Sequence, residues 1–129
     1  MITIKWSSDY SVNNPTIDKE HQSLFRMLNQ FYQGIQEGSS KEKLSLLIKG
    51  LLEYAQTHFG NEEKYMKAIG YPHLSRHQKE HEAFIQKVNE FYEKYTSGRL
   101  ILSLEVTGFI KDWIANHIKT EDKKYAAYS

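Results

Sequence analysis

Apolar residues recur at the three- and four-residue spacing of amphipathic helices in four blocks of the chain. The first stripe carries Ile17, His21, Leu24, Phe25, Leu28, Tyr32 and Ile35, stops at Gly38, and predicts a helix over residues 17–37. The second runs Leu44, Leu47, Ile48, Leu51, Ala55, His58, Phe59, Glu62, Tyr65, Met66 and Ile69, predicting a helix over 41–69. Ser39, with Glu42 three residues on, reads as its opening capping box, and Gly70 closes it. Pro72 suits the first turn of a third helix over 72–96, striped by Leu74, His77, His81, Phe84, Ile85, Val88, Tyr92 and Tyr95. Ser103 is placed to cap a fourth over 103–119, with Val106, Phe109, Ile110, Trp113, Ile114, His117 and Ile118 on its stripe. Beyond it the pattern fades into a polar tail, and residues 1–16 read as an irregular arm anchored by Trp6. Four such helices with short connections predict an all-α fold, an up-down-up-down four-helix bundle forming a single domain over 1–129.

Titratable residues interrupt every one of these stripes. His21, His58, Glu62, His77, His81 and His117 all fall on inward positions. A lone histidine on an apolar face is ordinarily a hydrogen-bonded core residue, but a buried carboxylate with five imidazoles is a different matter. Left unpaired, they cost several kcal/mol for the charge and roughly 1–3 kcal/mol for each polar group. One metal site compensates all of them at once. Residues four apart on a helix are turned by only about 40° and rise about 6 Å, so His58 projects beside Glu62 and His77 beside His81. In an up-down-up-down bundle the starts of the first and third helices share an end with the finishes of the second and fourth. His21, His77 and His81 lie near starts, and His58, Glu62 and His117 near finishes, so all six converge on one end.

Composition narrows the chemistry. The chain has no cysteine, which removes disulfides, thiolate metal sites, iron–sulfur clusters and cysteine nucleophiles together and leaves nitrogen and oxygen as ligands. Lys+Arg 17 against Asp+Glu 16 nearly cancel and are scattered, so neither nucleic acid nor an anionic membrane is an expected partner. Met1 to Tyr10 lack the basic start and apolar run of a secretory signal, and no stretch approaches the roughly 18 apolar residues of a membrane span. The cytoplasm is the expected compartment.

Two positions are ambiguous on spacing alone. His73 extends the series of His77 and His81, but it follows Pro72 in a first turn, and solvent exposure is expected for it. After His117, helical spacing favours Glu121 at four residues; Asp122 at five is turned by about 140° on a regular helix and faces inward only if the helix ends or bulges there.

The pattern His21, His58-x-x-x-Glu62, His77-x-x-x-His81 and His117-x-x-x-x-Asp122 resembles the hemerythrins, in particular the single-domain bacterial type. Trp6 in the arm, Ile17-Asp18 ahead of His21, the Tyr71-Pro72 turn and the segment Asp112-Trp113-Ile114-Ala115-Asn116-His117-Ile118 extend the likeness over nearly the whole chain. The resemblance implies two iron ions, one held by His77, His81 and His117, the other by His21 and His58, with Glu62 and Asp122 bridging. It selects Asp122 over Glu121 and sets His73 aside. Two six-coordinate irons offer twelve positions; five histidines, two bridging carboxylates and one solvent-derived oxygen bridge fill eleven. One position beside His21 and His58 is then open to a small molecule.

The function so implied is reversible dioxygen binding, for carriage, storage or sensing, with the protein acting as a binder rather than an enzyme. An unidentified reductase or oxygen-using protein is the partner such a role calls for. Trp113 and Ile114, one turn before His117, are expected to wall a dry pocket with Phe25 and Phe59. The rival functions are a di-iron enzyme turning over peroxide or nitric oxide, and an iron reservoir, which needs an exposed, exchangeable site.

Overall fold

The computed structural model describes residues 4–98 and 104–128, with the side chains of 104–107 excepted. Four long helices run α1 (Pro15–Gln36), α2 (Lys41–Ala68), α3 (Leu74–Thr96) and α4 (Leu104–His117). A π-helical turn, Ile118–Asp122, links α4 to a short α5, Lys123–Tyr128, and a 3-10 turn, Ser8–Tyr10, precedes α1. The long helices form the up-down-up-down bundle that the stripes predict, α1 packed on α2, α2 on α3 and α3 on α4. Among the described residues, no helix is long and apolar enough to cross a membrane.

Local chemistry sets the boundaries. Asn14 caps α1, its side-chain oxygen accepting from the amides of Thr16 (3.1 Å) and Ile17 (3.2 Å), with Pro15 at the first helical position. The cap of α2 is Ser40, accepting from the Lys43 amide at 3.2 Å, and not Ser39. The reason is the preceding closure, in which Gly38 takes φ +69° and the Ser39 amide bonds back to the Gly34 carbonyl. Gly70, also at φ +69°, ends α2 while the Tyr71 amide returns to the Met66 carbonyl. The same turn corrects the start of α3: Pro72 lies before the helix, His73 takes the cap position, and the helix begins at Leu74. Ser103, the expected cap of the fourth helix, lies outside the described residues, as does the side chain of Val106.

The arm is anchored more deeply than Trp6 alone would do. Ile4 is buried, and its amide and carbonyl pair with the Asn29 side chain at 2.9 and 2.8 Å. Trp6 lies above, its ring 5.6 Å from that of Phe25. Asp18 ties down the rest, accepting from the Val12 amide and the Ser11 hydroxyl.

At the other terminus the expected polar tail is an ordered helix. Tyr125 in α5 is fully buried and, with Val12, Ile17, Met66 and Tyr71, forms a small apolar cluster. The main core, including Leu28, Phe31, Ile48, Leu51, Phe84, Val88 and Ile110, fills the bundle. The polar cluster lies between the two, with the Phe59 ring of the main core against His81 and Tyr125 of the smaller cluster against His77.

Candidate metal centre

Each helix delivers its share. His21 comes from α1, His58 and Glu62 from successive turns of α2, His77 and His81 from successive turns of α3, and His117 from the last position of α4. Asp122 closes the π turn. A π turn bonds residue i to i+5, so residues five apart stack as residues four apart do in an α-helix. That resolves the choice between neighbours. Asp122 faces the cluster, fully buried, whereas Glu121 turns away from it, half-buried, and pairs with Arg76 (3.2 Å) and Lys124 (2.7 Å). His73 is exposed.

The seven side chains are between 0% and 5% exposed and converge. Asp122 Oδ1 lies 3.0 Å from His77 Nε2 and 3.1 Å from His117 Nε2, and its Oδ2 lies 3.1 Å from His21 Nε2. Glu62 Oε1 lies 2.9 Å from His58 Nε2 and 3.7 Å from His81 Nε2, with Oε2 3.7 Å from His21 Nε2. Each carboxylate thus reaches nitrogens on both sides. Two groups of donor atoms result, His77, His81, His117 and Asp122 in one and His21, His58 and Glu62 in the other, each compact enough to hold a metal ion.

The donor set fits cations better than it fits a hydrogen-bond network. Among the buried atoms without a hydrogen-bond partner are both His21 nitrogens, Glu62 Oε1, His77 Nε2 and both Asp122 oxygens. The Nε2 atoms of His81 and His117 face one another at 3.0 Å, where a proton can satisfy only one lone pair. Imidazole and carboxylate donors without thiolate suit iron, and a cation in each group satisfies the facing lone pairs together.

Without metal, protons take that place. Burial alone pushes the His58 imidazole down, but the Glu62 charge and the hydrogen bond to Glu20 raise it to about 10. His21 and His117 also rise against their burial, held by Asp122 and Glu62. Burial and the Asp122 charge push the Glu62 carboxyl up, yet His58 and His21 bring it to about 2. His81, desolvated and beside His117 and His77, falls to about 3.

A further ring of side chains leaves no mark on the apolar stripes. Glu20 accepts from His58 Nδ1 at 2.7 Å and from the Asn61 amide at 2.9 Å. Glu63 accepts from His81 Nδ1 at 2.8 Å. Both fix the tautomer that turns Nε2 toward the centre. Glu20 precedes His21 and Glu63 follows Glu62, so their signal is adjacency to a candidate donor, flanking the inward face. Tyr125, whose hydroxyl donates to Glu62 Oε2 at 2.7 Å, is hidden in a polar stretch.

The aromatic surroundings are unequal on the two sides. Phe59 stacks on His81 (3.8 Å, 4°) and also touches His58 (5.8 Å). Trp113 stacks on His117 (4.4 Å, 11°) and on Phe84 (4.2 Å), so it stands on the three-histidine side rather than beside His21. Ile114 is buried in the main core. Toward His21 the covering rings are Trp6, at 6.4 Å, and behind it Phe25.

Known proteins resemble this chain in sequence and fold. A family model described as the hemerythrin HHE cation binding domain matches residues 13–128. A bacteriohemerythrin of Clostridium acetobutylicum is 34% identical over 126 residues, covering 93% of this chain and 96% of that protein. One of Stenotrophomonas maltophilia is 30% identical over 126 residues, covering 98% of this chain and 81% of its own length. The crystal structure of a wild-type hemerythrin superposes with a TM-score of 0.92 at 25% identity, covering 98% of this chain and 97% of that one. From residue 13 almost to its end, and in fold as well as sequence, the chain belongs to the hemerythrin family.

Proposed function

We propose that this chain binds dioxygen reversibly at a non-heme pair of iron ions, one held by His77, His81 and His117, the other by His21 and His58, with Glu62 and Asp122 shared between them. The observation that carries this reading is that each of the two carboxylates presents its oxygens to histidines of both groups. Such carboxylates are placed to bridge.

Iron, when bound, supplies the electrons that dioxygen takes up on binding and returns on release. The protein does the rest. Its donors are unequal, three histidines against two, so the His21–His58 side is one short and is where a small ligand enters. Neutral imidazoles outnumber carboxylates, which favours the ferrous state. Glu20 and Glu63 hold the Nδ1 protons of His58 and His81, keeping each Nε2 lone pair aimed inward. Phe25 and Trp6 shield the His21 side from water, Phe59 spans from His58 to His81, and Trp113 closes the wall behind His117. Burial of all seven donors speaks against a reservoir, which needs exchangeable ligands at the surface.

The test is to reduce the iron-loaded protein without oxygen, admit air, record the visible spectrum and then remove the oxygen. A ligand-to-iron charge-transfer band that appears and reverses is the expected result. Irreversible bleaching, or catalytic consumption of peroxide or nitric oxide, supports the enzyme reading instead.

A further inference from the structure

The π turn that brings Asp122 inward also sets α5 so that Tyr125 is fully buried, with its hydroxyl on Glu62 Oε2 at 2.7 Å. Nothing in dioxygen binding uses this phenol. Its ring lies 6.4 Å from that of Tyr71, and Tyr71 lies 5.7 Å from Tyr128, which is 53% exposed. Three phenols therefore run in ring-to-ring contact from a carboxylate of the metal centre to solvent. Phenols give up single electrons far more readily than phenylalanine or the aliphatic side chains around them, so the row offers a path to the surface, with Tyr65, 5.7 Å from Tyr125, as a branch.

We infer that Tyr125, Tyr71 and Tyr128 form a relay that carries an oxidising equivalent from the metal centre to the protein surface when a half-oxidised centre meets a peroxide. The inference rests on the di-iron reading above. Peroxide going to two waters takes two electrons and two protons. A centre with one ferrous and one ferric ion has a single electron to give, and its ferrous ion becomes ferric. The second electron comes from Tyr125, which loses its phenolic proton as well; the other proton comes from solvent. Tyr71 restores Tyr125 and Tyr128 restores Tyr71, each giving one electron and one proton, so the unpaired electron ends on exposed Tyr128. Two chains in that state join their Tyr128 rings through one carbon–carbon bond, and the hydrogen on each joined carbon moves to its own phenolic oxygen. Two half-oxidised chains, two peroxides and two solvent protons thus give four waters, two fully oxidised centres and one linked pair.

The experiment uses the iron-loaded full chain, reduced, oxidised by one electron equivalent and treated with hydrogen peroxide. Freeze-quenched electron paramagnetic resonance should show a tyrosyl signal, and peptide mapping should find covalent dimers linked at Tyr128. Tyr128→Phe and Tyr71→Phe should keep the iron content of the parent chain and lose the dimer, and Tyr71→Phe should confine the radical to Tyr125 and Tyr65, whose ring lies 5.7 Å from that of Tyr125. The relay is overturned if Tyr71→Phe still dimerises through Tyr128, if oxidation lands on Trp6 or Trp113, or if the metal-free chain gives the same dimer. An iron-replete chain without any tyrosyl signal sinks the relay alone, whereas a chain that takes up no iron sinks the di-iron reading and the relay with it.

Discussion

Glu20 shows how much of this centre is decided by side chains that touch no metal. One of its oxygens holds His58 Nδ1 and the other is held by Asn61, so the His58 ring is oriented from outside the cluster. Removing the charge while keeping the shape weakens that hold and makes His58 a poorer donor. Glu20→Gln is expected to lower metal affinity by about 10–100-fold, the usual cost of losing such a partner. A metal titration of the folded variant checks this, and an affinity equal to that of the parent chain would show that Glu20 only fills space.

At the scale of elements, the π turn is the decisive one. It lets Asp122 occupy the place that a regular helix would give Glu121, and leaves Glu121 among Arg76 and Lys124. Asp122→Ala should therefore bring metal content below two ions per chain. Glu121→Ala should leave metal content unchanged, since its partners are Arg76 and Lys124 rather than the cluster. Metal loss in Glu121→Ala with retention in Asp122→Ala would place the helix in α register. Apolar periodicity alone makes the four long helices and six of the seven inward donors legible in the sequence, because a buried stripe is a direct consequence of helix geometry. The seventh, Asp122, is reached only through family resemblance. A π turn has no apolar period of its own, and the polar residues Lys119, Thr120, Glu121, Lys123 and Lys124 conceal the one buried ring, Tyr125. The cap of α2 and the start of α3 are displaced by a residue or two where adjacent serines, or Pro72 and His73, offer rival caps.

Over the whole molecule, the metal-free cluster ties stability to pH in both directions. His58, raised from 6.5 to about 10, contributes stability that is complete below pH 6.5 and is lost as pH rises toward 10. Glu62, lowered from 4.5 to about 2, contributes above pH 4.5 and loses its contribution as pH falls toward 2. His81, kept neutral down to about 3, adds an acid-side loss that begins near 6.5. Thermal melts of the metal-free chain should peak in the neutral range and fall on either side, and a flat profile would contradict these assignments. Metal bound only by the folded chain should raise the melt throughout the neutral range. The most direct measurement is the number of metal ions per chain. Iron and protein determined on the same purified, iron-loaded sample should give two irons for each chain; a ratio of one, reached at saturation, would contradict a shared pair and the dioxygen site built on it.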